Sequence, residues 1–138
     1  MNSKKHRILA LVLAVAMMIS VMPMITIPAS AAAPATYTDI TVGSTQHVTI
    51  SSSGQSKYFR FVAPATGSYT FSSSNRNSGD PKAYLLDASG NQITYNDDGG
   101  NNNNFILTYN LTEGTTYYLQ AAMFSSYTGS YDLSLVKY

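Results

Sequence analysis

Lys57-Tyr58-Phe59-Arg60-Phe61-Val62-Ala63-Pro64-Ala65-Thr66-Gly67-Ser68-Tyr69-Thr70-Phe71 decides the fold class. Its apolar residues recur at every second position, with Phe59 and Phe61 on one face and Tyr58 and Arg60 on the other. That is the period of a strand, not of a helix. Pro64 and Gly67 then mark a turn, because proline presets φ and glycine accepts the positive values that a reversal needs. The chain returns in a second segment in which Tyr69 and Phe71 share a face. These four rings are the expected aromatic centre of a core.

The same period continues outward in both directions, broken by turn residues at roughly eight- to twelve-residue intervals. It predicts strands at 40–42, 46–50, 57–62, 67–72, 82–87, 92–95, 105–111, 116–123 and 129–136. In the seventh, Phe105, Leu107, Tyr109 and Leu111 fall on one face; in the last, Tyr131, Leu133 and Leu135 point inward. Residues 82–87 and 92–95 read as a hairpin around Ala88-Ser89-Gly90-Asn91. Eight or nine short strands without a helix argue for an all-β, two-sheet antiparallel β-sandwich.

Upstream, Lys4, Lys5 and Arg7 precede a long apolar run, and Ala29-Ser30-Ala31 offers the small residues a signal peptidase requires. Residues 1–31 therefore read as a secretory signal. Pro23, Pro28 and the small-residue site favour cleavage over an uncleaved membrane anchor. Residues 32–38 read as a flexible lead-in, and 39–138 as the sandwich domain. Losing the three basic residues of the leader takes the formal charge from +1 to −2, too little positive charge for a nucleic-acid footprint. The absence of cysteine excludes a thiol nucleophile, a zinc–thiolate site and a lipid-modified cysteine. An exported domain without disulfides has to be held by its core, a metal or a partner.

Thr94-Tyr95-Asn96-Asp97-Asp98-Gly99-Gly100, followed by Asn101 to Asn104, gathers the most chemistry in the chain. Calcium takes six to eight oxygens from carboxylates, amides, carbonyls and water. Asp97 and Asp98 supply such oxygens, with Asn96 and the flanking carbonyls, and Asp80 joins from the preceding loop. The alternative is a solvated polar turn in which Gly99-Gly100 makes the reversal. Both readings stand.

No catalytic residue is assigned. A hydrolytic triad needs a histidine between a nucleophile and a carboxylate, and beyond the leader only His47 is available, on a short alternating strand. Adjacent Asp97 and Asp98 cannot straddle a scissile bond as a glycosidase pair does. Tyr84, Tyr95, Phe124 and Tyr127 lie in or near connecting segments, where their rings could pack on a sugar or a fibrous protein. They are the candidate ligand-binding residues.

The quoted segment, together with Ala83-Tyr84-Leu85-Leu86-Asp87-Ala88-Ser89-Gly90-Asn91, the Asn96-to-Gly100 loop, Leu111-Thr112-Glu113-Gly114-Thr115-Thr116-Tyr117-Tyr118 and Thr128-Gly129-Ser130-Tyr131, resembles the bacterial pre-peptidase C-terminal domain. That resemblance implies a jelly-roll-like sandwich related to the collagen-binding domains of clostridial collagenases. It also implies a non-catalytic accessory module of exported enzymes, with calcium bound in some relatives. The expectation is thus a secreted, non-enzymatic module, calcium-stabilised, with an extracellular protein or polysaccharide as partner. A carbohydrate-binding module and a secreted hydrolase with an unrecognised site are the alternatives.

Overall fold

The structure, a computed structural model, describes residues 31–138. The leader lies outside the described residues except for Ala31. Nine strands follow: β1 (Thr38–Asp39), β2 (Thr45–Ile50), β3 (Lys57–Val62), β4 (Gly67–Ser74), β5 (Pro81–Leu86), β6 (Gln92–Asn96), β7 (Ile106–Leu111), β8 (Thr116–Met123) and β9 (Gly129–Lys137). They form a five-stranded sheet in the order β1-β3-β8-β5-β6 and a four-stranded sheet in the order β2-β9-β4-β7. Every pairing is antiparallel except β1 with β3.

β3 and β4 are consecutive but belong to different sheets, so residues 63–66 cross between layers and do not close a hairpin. Ala63 is tied to the β7–β8 turn by backbone bonds to Thr115 and Gly114. The crossing turns the two aromatic pairs toward each other. Phe61 meets Tyr69 edge-on at 5.2 Å and Phe71 at 6.1 Å, as the alternation predicts. Tyr69 donates its buried hydroxyl to the Ala65 carbonyl at 2.6 Å, which meets the polar end of an otherwise apolar ring. Phe105 and Tyr131 make a second edge-on pair at 5.9 Å. Leu133 and Leu135 complete the inward face of β9, fully buried.

Tyr109 departs from its expected inward burial and is 40% exposed. It has the right parity, but β7 is an edge strand and no neighbour covers its outer side. The first strand also differs. Pairing begins at Thr38, whereas residues 41–44 form a turn closed by Ser44 onto the Thr41 carbonyl. The lead-in packs on the outside of the larger sheet: the Tyr37 ring lies tilted against Tyr118 with centroids 5.6 Å apart, and Arg60 sits over the Tyr37 ring while gripping Asp39 with two hydrogen bonds. Tyr118 is buried on an outward-facing position for this reason. On the same face Leu86 and Ala122 are also buried, Tyr58, Gln120 and Tyr84 are half-buried, and Tyr95 is exposed.

Candidate functional site

The β5 start, the β6 end and the β8 end lie at one end of the five-stranded sheet, so loops 75–80, 97–105 and 124–128 share a corner. Asn96 builds the middle loop. Its Oδ1 accepts hydrogen bonds from the Gly99 amide at 2.8 Å and the Ile106 amide at 3.0 Å, closing the loop at its base. That oxygen is therefore already engaged, which argues against Asn96 as a calcium ligand.

The reversal is made by Asn102 and Asn103, with φ of 57° and 56°, inside a turn closed by the Asn104 amide on the Asn101 carbonyl at 3.2 Å. Two consecutive left-handed residues are the mark of a type I′ turn, which asparagine tolerates. The reversal expected at Gly99-Gly100 thus falls a few residues later. Those glycines serve close approach: a Cβ at Gly99 would lie 2.6 Å from Asn96 Oδ1, and one at Gly100 would lie 2.9 Å from the Asn104 carbonyl. Asn96→Ala, which strips both base bonds, should cost about 1–2 kcal/mol. A urea titration checks this; an unchanged midpoint would show that the loop holds itself without Asn96.

Arg76 fastens the loops to each other, donating Nε to the Asn102 carbonyl and Nη1 to the Gly79 carbonyl. Asp80 lies beneath them. Its Oδ1 is buried with no hydrogen-bond partner. Burial, followed by the charges of Asp98 and Asp97, pushes the Asp80 carboxyl above its ordinary range, against an opposing hydrogen bond from Asn103 and the charge of Arg76. Of the three expected calcium ligands, Asp97 and Asp98 thus act on Asp80 through their charge. Among the described residues, no three His, Cys, Asp or Glu side chains form a metal-holding group. An orphaned carboxylate oxygen under pressure from two further carboxylates is nevertheless a place where a hard cation would relieve repulsion.

The rings lie next to this corner. Tyr84 and Tyr95 are register partners across β5 and β6, with centroids 5.8 Å apart and planes within 30°. Lys82 holds its ammonium 5.1 Å from the Tyr84 ring and 5.6 Å from the Phe124 ring. Phe124 is pinned by its amide to the Asp80 carbonyl at 2.7 Å. Tyr95 and Phe124 are 57% and 46% exposed. The structure therefore gathers three of the four expected ligand-binding residues. Tyr127, in the turn after Phe124, joins none of the ring pairs among the described residues. Lys82 and Arg76 carry no motif in the sequence; only the alternation that puts Lys82 and Tyr84 on one face hinted at the first.

His47 is elsewhere, on the exposed side of β2 beside a groove of about 430 Å³ between β2 and β3. Its Nδ1 lies 2.9 Å from Asp132 Oδ1, and Asp132 Oδ2 accepts from Asn75. Asn75 and His47 hold the Asp132 carboxyl below its usual range. Among the described residues no hydroxyl is hydrogen-bonded to the ring, so no Ser–His–Asp relay is assembled.

Residues 55–122 match the model of the bacterial pre-peptidase C-terminal domain. That segment, β3 through most of β8, carries the pattern of this family. The pre-peptidase C-terminal domain of a collagenase from Bacillus anthracis has the same fold, with a TM-score of 0.62 and 20% identity over 74% of this chain and 96% of that one. A periplasmic inhibitor of g-type lysozyme, PliG from Aeromonas hydrophila, aligns with a TM-score of 0.54 and 11% identity over 73% of this chain and 95% of its own. At those identities the likeness concerns the sandwich alone. No curated protein sequence matches the chain. Pre-peptidase C-terminal domains are non-catalytic accessory domains of secreted proteases. No helix among the described residues is long and apolar enough to cross a membrane.

Proposed function

We propose that this chain is an exported accessory module that attaches to an extracellular polymer through the outer face of its five-stranded sheet, with calcium bracing the adjoining loops. One observation carries the reading: Tyr84 and Phe124 flank Lys82, Tyr95 pairs with Tyr84, and Tyr95 and Phe124 are exposed. Accessory domains of secreted enzymes can act by adhesion, and exposed rings supply large contact area at low conformational cost. Such attachment would assist a secreted enzyme by holding it at its substrate. Export is supported by the charged, apolar and small-residue pattern of residues 1–31. Calcium is supported by the orphaned Asp80 Oδ1.

Retention of the exported protein on insoluble polysaccharides and on fibrous collagen tests the reading. Binding to one of them is expected, and Tyr95→Ala, which removes the most exposed ring of the cluster, should weaken it about tenfold. Retention on none of these polymers, or retention that ignores Tyr95→Ala, overturns it.

A further inference from the structure

We infer that the polymer taken by this face is an anionic polysaccharide whose sugar carboxylates pair with Lys82. The inference rests on the attachment proposed above and names its substrate class. The face has two well-placed cations. Arg60 is paired with a carboxylate, donating Nε and Nη2 to Asp39 at 2.7 and 3.0 Å and Nη1 to the Tyr37 hydroxyl. Lys82 is set beside two rings and forms no ion pair among the described residues. The ion pairs formed among the described residues are His47 with Asp132 and Arg60 with Asp39, so no carboxylate of Asp80, Asp97 or Asp98 is in direct contact with the Lys82 ammonium.

The Lys82 ammonium lies within cation–π reach of both the Tyr84 and the Phe124 ring, which favours this placement of the charge. A cation so placed is a stronger partner for an anion than a lysine waving in solvent, because less ordering is left to be done on binding. Neutral sugars could stack on the rings without using this charge; a carboxylate uses both.

The shape of the surface favours a sugar chain over an acidic peptide. Tyr58, Gln120, Tyr84 and Tyr95 are successive register partners on β3, β8, β5 and β6, so they form one line across four strands. At the usual strand spacing the line is roughly 14 Å long. Gln120 donates Nε2 to Ser56 Oγ at 2.9 Å, which leaves its amide oxygen to accept from a sugar hydroxyl. Three rings with one amide among them offer surfaces for the C–H faces and a partner for the hydroxyl edges of successive pyranose units, with Lys82 beside the line to receive the carboxylate.

The test compares polygalacturonate with its fully methyl-esterified form, which keeps the sugar backbone and masks the carboxylates. The exported protein should be retarded in affinity electrophoresis by the acid, and about tenfold less by the ester. Lys82→Gln should lose that preference while still responding to the ester, and Tyr95→Ala should weaken binding to both. A thermal melt confirms that each variant is folded. Equal binding to acid and ester, an unchanged preference in Lys82→Gln, or binding to collagen alone overturns the inference and leaves polymer attachment standing. Binding to neither polysaccharide nor to collagen removes both.

Discussion

Tyr131→Ala should destabilise the domain by about 3–5 kcal/mol, the range for removing a buried aromatic ring. Tyr131 is fully buried on β9 and meets Phe105 edge-on, and β9 is the strand that joins β2 to β4 in the smaller sheet. The loss therefore falls where two strand pairings depend on one residue's packing. Against a total of about 5–15 kcal/mol, the variant should unfold at a much lower urea concentration. Tyr131→Phe supplies the contrast. The Tyr131 hydroxyl reaches the Ala122 carbonyl only at 3.5 Å, the outer limit of a hydrogen bond, so its removal should cost less than about 1 kcal/mol. Tyr69→Phe should cost more than Tyr131→Phe, since it abandons a 2.6 Å bond to Ala65. Equal midpoints for wild type and Tyr131→Ala would refute the placement of this ring in the core.

The sandwich was legible because alternation survives wherever a strand has one buried face. β3 and β8 begin and end where the pattern puts them. What alternation cannot carry is which sheet a strand joins. Residues 63–66 read as a turn whether they close a hairpin or cross between layers, and only pairing with β8 on one side and with β7 and β9 on the other separates the two. Tyr109 shows a related limit, since parity assigns a face but not an edge. The site was legible in its ingredients and less so in its roles. Asn96 and the glycines looked like ligand and hinge; in the fold Asn96 closes the loop and the glycines yield space to it, because the left-handed turn is made by Asn102 and Asn103. Lys82 and Arg76 are isolated cations with no spacing signal, and their roles come from what the third dimension sets beside them.

Calcium at about 100 times its dissociation constant should stabilise the wild-type domain by about 2.7 kcal/mol, which raises the melting temperature by roughly 10 °C for a domain of this size. Extracellular calcium modules bind in the ~0.1–1 mM range, so about 10 mM calcium against a chelator is the relevant comparison at the tight end. Asp80 decides the outcome. Its folded carboxyl titrates above the unfolded value, so in the absence of a cation it binds protons more readily in the folded state. Its stabilising contribution is then complete below the unfolded pKa, near 3.8, and is lost as pH rises through the folded value. At neutral pH without calcium, Asp80→Asn should therefore melt no lower than wild type, because it removes a buried charge that Asp97 and Asp98 oppose. With calcium the order should reverse, the wild type gaining and Asp80→Asn standing still. Arg76 supplies the rival account, since it already cross-ties the two loops through the Asn102 and Gly79 carbonyls. If that guanidinium is the only cation the corner uses, wild-type melts will coincide in calcium and in chelator, and the calcium reading fails.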